Sequence, residues 1–349
     1  MTNINTSPST KGEIGQVNKG EGIEPFLLKP ACKDYLWGGE RLATEYGKEY
    51  GIRPLAETWE CSTHSDGVSI IDSGIYKGMP LDIFIKQHPE CLGRHPVKVS
   101  GKNELPILVK LIDAGAKASV QVHPNDEYAF KHEQGQNGKA EMWYVLDACE
   151  DSRLVYGFYQ DTDVQTVENS IKNDTIEKYL RKIKVKKDDV FYIKPGCVHA
   201  IGAGVLIAEI QQNSNLTYRL YDYNRKDKDG KFRELHVKKA LEVAELRGDS
   251  EPKQPMRILK YQPGCATELL CRCKHFQVER MLVNTEDRAK GVELSADEES
   301  FIVLMCIEGT GIIKSRDDIH FHKGHCIFVP AGCRDIEITG RMQFLKIRC

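Results

Sequence analysis

The sequence predicts a mainly β protein with helices added at its periphery, and three observations carry that prediction. Short β-type runs recur along the chain, VSIID (68–72), ILVKLIDA (107–114), SVQVH (119–123), MWYVL (142–146) and RLVYGF (153–158), each bounded by turn residues. Helical periodicity appears in DVQTVENSIKNDTIEKYLRKI (163–183), where Val164, Val167, Ile171, Ile176, Tyr179, Leu180 and Ile183 fall at largely helical spacing, and in HVKKALEVAELR (236–247). No GxGxxG is present, and Gly202-Ala-Gly204 lies between strand candidates instead of preceding a helix, so a dinucleotide-binding α/β fold has no support. Many short strands of this kind make a sandwich or a barrel.

A chain of 349 residues is long enough for about two domains. With 40% hydrophobic and 29% charged residues and a net charge of −2, nothing in the totals favours a nucleic acid or an anionic membrane as partner. Any anionic ligand must then meet a local cluster of Lys and Arg. No apolar run approaches the roughly 18 residues of a spanning helix. Residues 1–24 are polar and rich in Gly, Ser, Thr and Asn, without the order of a signal peptide, and read as a disordered tail. Twelve cysteines in a chain of this kind read as free thiols in a reducing, cytoplasmic compartment. The CxC at Cys271-Arg272-Cys273 has no matching pair and reads as buried thiols.

Strands resume after the helical stretch with VFYIKPG, VLIAEIQQ and TYRLYDY, and a further β block runs from about Leu269 to the end. An internal echo organises them. DVFYIKPGCVHAI (189–201) returns as HCIFVPAGCRDIEI (325–338), so that Tyr192 matches Phe328, Gly196 matches Gly332 and Cys197 matches Cys333, while His199 falls on Asp335 and Asp188 on Gly324. Both copies resemble the second half-motif of a cupin: a strand, a Pro/Gly turn, then G-x-x-H on the next strand. The resemblance implies two cupin-like jelly-roll barrels, the first keeping a metal histidine and the second having lost it. The expected division is 25–160 with 184–235 for the metal-binding barrel, 161–183 for a helical insertion, 236–264 for a helix and linker, and 265–349 for a C-terminal barrel lacking metal ligands.

Gln121 and His123 are two apart, so on a strand both point to one face. Glu141 stands at the start of MWYVL, and His199 follows a Pro-Gly turn onto another strand. Two imidazoles, a carboxylate and an amide form a nitrogen/oxygen set that suits zinc and also iron, manganese or cobalt. Three or four such ligands leave open positions, as a catalytic site requires. The bland alternative is a histidine with a satisfied hydrogen bond, and His320-Phe-His322, with the same spacing, is expected to be only an exposed strand feature. Arg219, between Tyr218 and Leu220, needs a carboxylate, phosphate or oxyanion, a structural ion pair being the commoner solution. Glu209 follows VLIA, Lys110 interrupts ILVKLIDA, and Lys139 is two residues before Glu141. Facing inward, the lysines would supply the local cationic pocket.

WGGERL (37–42), AETWECS (56–62), LPILVKLIDA, SVQVHPND (119–126), GKAEMWYVL (138–146), KPGCVHAIGAG (194–204) and EIQQNSNLTYRLYDYNR (209–225) together resemble the type I phosphomannose isomerases of the short, bacterial-like class. The likeness covers about Phe26 to Arg225 and weakens in the last third. It implies a cytoplasmic enzyme, monomer or homodimer, that interconverts mannose 6-phosphate and fructose 6-phosphate through a cis-enediol with one zinc ion per chain. It further implies His123, Glu141 and His199 as zinc ligands with Gln121 as a fourth, and Arg219 as the active-site arginine. Ser119, Lys110 and Lys139 would line the phosphosugar pocket, with Glu209 beside it and the lysines on the phosphate. The general base stays open between Glu209, a metal-bound hydroxide and a histidine. The chain departs from the family's pattern at Asn215, where Asp is usual, and at Asp188, where Gly is usual. Two other readings use the same ligand set: a non-catalytic cupin that binds a sugar phosphate, and a metal-dependent cupin oxygenase.

Overall fold

A computed structural model describes residues 22–227, 229–248 and 257–349. The tail expected over 1–24 therefore falls almost wholly outside the described residues. Its last part is not a tail: Ile23 packs against the core, and Glu24 accepts a hydrogen bond from the Arg316 backbone.

The first half of the chain supplies β1 (Phe26–Lys29), β2 (Ala31–Lys33), β3 (Glu57–Cys61), β4 (Ile70–Ile71), β5 (Ile107–Ala114), β6 (Val120–Val122), β7 (Glu141–Ala148), β8 (Arg153–Phe158), β9 (Leu180–Lys184), β10 (Val190–Ile193), β11 (His199–Ile201), β12 (Val205–Gln212) and β13 (Tyr218–Tyr221). They form a six-stranded sheet in the order β10-β7-β12-β5-β3-β2 and a five-stranded sheet in the order β13-β6-β11-β8-β9. The sheets share one interior, because Ile112, Trp143 and Val205 of one pack with Leu154, Tyr156 and Ile201 of the other. The last third adds β14 (Ile258–Gln262), β15 (Cys265–Arg272), β16 (Gln277–Asn284), β17 (Val292–Leu294), β18 (Ile302–Lys314), β19 (Ile319–His322), β20 (Cys326–Val329) and β21 (Ile336–Arg348). The protein is mainly β, built from two cupin-like barrels.

Alternation explains why the central strands read as mainly apolar runs. Ile107, Val109 and Leu111 of β5, Met142, Tyr144 and Leu146 of β7, and Leu206, Ala208 and Ile210 of β12 join a large core with Val303, Met305 and Ile307 of β18. The residues between them, Ile112, Trp143, Val145, Val205 and Ile207, face the interior of the first barrel. Both faces of the six-stranded sheet are thus buried, one against the second barrel, so neither face carries a solvent-exposed polar stripe. The joint is reinforced by a buried ion pair: Lys48 Nζ lies 2.8 Å from Glu60 and donates to the Gly324 carbonyl at 2.6 Å.

Three expectations change. β1 pairs with β20 (Phe26 opposite Phe328) and with β4, so both segments belong to the ten-stranded sheet of the C-terminal half and not to the metal-binding barrel. The expected helical stretch 161–183 contains a helix, Val164–Lys172, capped by Asp163 accepting from the Thr166 backbone, and a short 3-10 turn at Ile176–Lys178. Leu180 to Lys184 is a strand instead, pairing with β8; Leu180 and Ile183 are three apart, a spacing that mimics a helix, but the free edge of β8 captures them. The C-terminal β block begins at Ile258, earlier than 265. The Val164–Lys172 helix and a second, Val237–Val243, contribute Val167, Ala240 and Leu241 to a cluster with Val120, Val122 and Leu220 on the outside of the five-stranded sheet. His320 and His322 are exposed on β19. All twelve cysteines are unpaired. No helix among the described residues is long and apolar enough to cross a membrane.

Candidate metal centre and active site

The local sequence fixes each ligand before the barrel brings them together. In QVHPND, β6 ends at Val122, His123 continues its inward face, and Asn125 caps the following helix by accepting from the Tyr128 backbone at 2.9 Å. Gly138 then passes so close to Asn125 that a Cβ there would lie 2.4 Å from its carbonyl carbon. That approach, with Lys139 N donating to the Pro124 carbonyl at 3.0 Å, sets Lys139 and Glu141 beside His123. The turn before β11 needs Gly196, whose φ is 88°, and its N–H donates to the His123 carbonyl at 2.9 Å. The three ligand-bearing segments are thus stitched together through backbone.

His123, Glu141 and His199 are all buried and present ligand atoms within 4.8 Å of one another. Glu141 Oε1 lies 3.2 Å from His199 Nε2, and Oε2 lies 3.6 Å from His123 Nε2. Each imidazole is held from behind: His123 Nδ1 donates to the Leu216 carbonyl at 2.7 Å and His199 Nδ1 to the Cys197 carbonyl at 2.9 Å, which leaves both Nε2 lone pairs aimed inward. Burial keeps both rings neutral, pushing His199 down to about 4 and His123 well below its ordinary value, with Lys139 adding to the effect on each. Burial and the neighbouring Glu209 hold the Glu141 carboxyl up at about 7. Lys139 Nζ stands 3.0 Å from Glu141 Oε2, yet neither Glu141 oxygen has a partner in hydrogen-bonding geometry. Two aimed imidazoles around an unsatisfied buried carboxylate are what a divalent ion completes, so the residues present fit one. The Gln121 amide is 3.3 Å from His199 Nε2, and a half-turn of that amide offers its oxygen to the same point.

Beside the triad opens a cavity of about 280 Å³, lined among others by Tyr35, Ser119, Gln121, Thr217, Arg219 and Arg233. Two cross-strand rows build its walls. On the six-stranded sheet Trp143, Glu209, Lys110 and Trp59 are direct neighbours across β7, β12, β5 and β3; on the five-stranded sheet Arg219, Gln121 and His199 are neighbours across β13, β6 and β11. Lys110 is fully enclosed between two carboxylates, 3.2 Å from Glu209 and 3.5 Å from Glu57. Each of those acids is steadied by an indole N–H at 2.8 Å, Trp143 on Glu209 and Trp59 on Glu57. Burial alone would strip the charge from Lys110, but Glu57 and Glu209 raise its ammonium above the ordinary value; burial likewise works against Glu209, and Lys110 with Lys139 keeps its carboxyl low. Lys139 Nζ lies 3.0 Å from Glu141 and 3.2 Å from His123 Nε2.

The sequence profile described as "Phosphomannose isomerase type I, catalytic domain" matches residues 26–151, and that described as "Mannose-6-phosphate isomerase, cupin domain" matches residues 267–349. Mannose-6-phosphate isomerase ManA of Bacillus subtilis (strain 168) is 36% identical over 318 residues, covering 91% of this chain and 96% of the relative. The chain belongs to the type I mannose-6-phosphate isomerase family. Mannose-6-phosphate isomerase of Streptococcus mutans is 40% identical over 323 residues, 92% of this chain and 97% of the relative. Among solved structures, the mannose 6-phosphate isomerase of Bacillus subtilis superposes with a TM-score of 0.83 at 32% identity, over 93% of this chain and 99% of that one.

The structure places every anticipated site residue of this family member at the triad or on the cavity wall: Gln121, His123, Glu141 and His199 around one point, and Ser119, Lys110, Lys139, Glu209 and Arg219 on the lining. Asn215 sits at the rim, donating to Asp66 at 2.7 Å. Sequence reasoning missed Glu57 and Arg233. Glu57 had a signal, since it alternates with Trp59 in AETWECS and so shares its inward face. Arg233, in KDKDGKFR, had none, because that run reads as a solvated loop.

Proposed function

We propose that this chain interconverts mannose 6-phosphate and fructose 6-phosphate, and that His123, Glu141 and His199, with the Gln121 amide, hold a divalent ion, zinc by the nitrogen/oxygen character of the set. The observation that carries the reading is the juxtaposition of a metal triad with a lysine clamped between two buried carboxylates in a single polar cavity. When bound, the ion supplies Lewis acidity to the sugar's O1 and O2 oxygens.

The chain's own residues supply the proton transfer. Going from aldose to ketose, the proton on C2 leaves and is delivered to C1, while the O2 hydroxyl proton passes to O1; no oxidant or reductant enters. Glu209 is the base this reading selects. It is ionised, lines the cavity, and is held in place by Trp143 and Lys110. The histidines have no free nitrogen, with Nδ1 on a carbonyl and Nε2 turned to the triad. Asn215 carries no acid to offer. Arg219 projects into the same space and stabilises negative charge on the enediolate oxygens.

Metal analysis of the purified protein together with a coupled assay on mannose 6-phosphate tests the reading. It expects one divalent ion per chain and turnover that disappears on chelation and returns with zinc. Arg219→Ala should keep the ion and lose turnover by about 10²-fold, the scale of one lost oxyanion donor. Iron with oxygen consumption, or a fully loaded protein inert towards mannose 6-phosphate, defeats it.

A further inference from the structure

Two of the groups that meet at the triad stand outside any strand. β6 ends at Val122 and β7 begins at Glu141, so His123 and Lys139 owe their places to contacts between the segments 123–126 and 138–140 and not to a sheet ladder. Those contacts converge on Asp126, the first residue of the helix Asp126–His132. Its Oδ1 accepts twice, from the Gly138 N–H at 3.0 Å and from Gln212 Nε2 at 2.8 Å. Gln212 closes β12 and is 5% exposed. Its Oε1 accepts from the Ala140 N–H at 2.9 Å, and its own N–H donates to the Ala140 carbonyl at 3.1 Å.

A carboxylate only accepts, and that settles how Gln212 lies. With its NH2 towards Asp126, its oxygen is left for the Ala140 N–H; turned over, it would set oxygen against carboxylate and donor against donor. Lys139 N–H is held by the Pro124 carbonyl, so all three N–H groups of 138–140 are claimed and the segment enters β7 along one path. That path brings Lys139 Nζ to 3.2 Å from His123 Nε2. Gly138 belongs to the same fit, since a Cβ there would lie 2.5 Å from the Asp126 nitrogen. Asp126 itself does not line the cavity, and its side chain is 45% exposed. Its Oδ2 stands 3.8 Å from both Lys274 Nζ and His275 Nε2, in the turn between β15 and β16 of the second barrel. An acid at a helix start is favoured by the dipole alone, and the exposed Glu127 serves that purpose equally. The dipole does not call for bonds to residues 12 and 86 positions away.

We propose that Asp126 is a positioning residue of this isomerase: by fixing the Gly138 N–H and the Gln212 amide it sets the backbone of 138–141, and so holds Glu141 and Lys139 in place against His123. Metal affinity then depends on an acid that touches none of the ligands. The inference rests on the metal triad of the isomerase reading above and deepens it. A half-exposed acid can be removed without opening a core cavity, which separates this role from that of a packing residue.

The test compares the full chain as wild type, Asp126→Ala, Asp126→Asn, Gln212→Met and Glu127→Gln. Zinc affinity is read by competition with a chromophoric chelator, ligand geometry by the visible absorption of the cobalt(II)-loaded protein, and stability by melting of the metal-free protein, beside kinetics on mannose 6-phosphate. Asp126→Ala should weaken zinc binding and lower kcat by about tenfold or more, the scale of losing a group that orients a ligand, and should shift the cobalt spectrum. Its metal-free melting temperature should fall by no more than about 4 °C, the scale of one lost hydrogen bond. Gln212→Met, which cuts the same relay from the other side, should reproduce the weakened zinc binding. Asp126→Asn keeps an oxygen for both donors and should recover most of the affinity, while Glu127→Gln should match wild type. Unchanged zinc affinity and cobalt spectrum in Asp126→Ala overturn the proposal. So does an equal loss in Glu127→Gln, since the helix dipole alone would then account for the effect. Because zinc binding is read without turnover, a chain whose zinc affinity depends on Asp126 but which leaves mannose 6-phosphate unchanged would defeat the isomerase reading alone.

Discussion

The two barrels share a strand-turn-strand device and use it for opposite ends. β10 leads through Gly196 to β11, and β20 leads through Gly332 to β21, the two glycines having φ of 88° and 77°. Three residues after each glycine the barrels part. His199 is wholly buried and aimed at the triad, whereas Asp335 is exposed and adopts a φ of 60°. The interiors part in the same way. β18 turns Ile302, Leu304 and Cys306 inward to pack with Phe321, Phe344 and Met281, while β5 turns in Lys110 and β12 turns in Glu209. A jelly roll is therefore indifferent to what fills it, provided that burial of polar groups is offset. Here the offset is internal pairing, lysine with glutamate and indole with carboxylate, together with an apolar second barrel that covers the outer face of the six-stranded sheet.

The comparison can be broken in graded ways. Removing a ligand is the most severe. His199→Ala should lose bound metal and leave less than about one per cent of turnover, beyond the 10–100-fold typical of changes one shell further out. The mirror change, Asp335→His, should create no second site, because among the described residues the cluster inside that barrel is apolar and the one metal-capable group is the triad, so metal stoichiometry stays at one. Two metals per chain would show that the second interior is less committed than its packing implies. Next, Phe344→Ala opens a cavity in the apolar barrel and should cost about 3–5 kcal/mol in denaturant unfolding while the metal content of the folded protein is retained. Loss of metal there would mean that the two interiors are not independent. Smaller still, Trp143→Phe keeps an aromatic ring, smaller than the indole, and deletes the N–H that Glu209 accepts. About 1–3 kcal/mol is expected, read as a fall in kcat with an unchanged melting profile of the second barrel.

What the sequence disclosed follows the range of the interactions. Gln121 and His123 share a strand face by simple alternation, and the mainly apolar runs of β5, β7 and β12 announce strands buried on both sides. The echo of 189–201 in 325–338 foretold a repeated turn with a lost histidine, and the backbone shows the turn twice. Features that depend on distant partners were hidden. Nothing in FLLK says that Phe26 lies opposite Phe328, and nothing near Glu57 says that Lys110 is its partner. Leu180 and Ile183 were misassigned because helix and edge strand offer the same spacing over so few residues. Arg233 was invisible because its partner, Asp222, is eleven residues away around a loop of alternating charges.

The pairing of β1 with β20 sets a timetable. As the chain emerges from the ribosome, Phe26 to Lys29 is made well before the edge it must join, which is finished about 300 residues later. At about 5–20 residues per second, that strand waits roughly 15–60 s in solution before its berth exists. During that interval the apolar face of FLLK is a candidate for chaperone capture, whereas the metal-binding interior, assembled by Tyr221, needs no such patience.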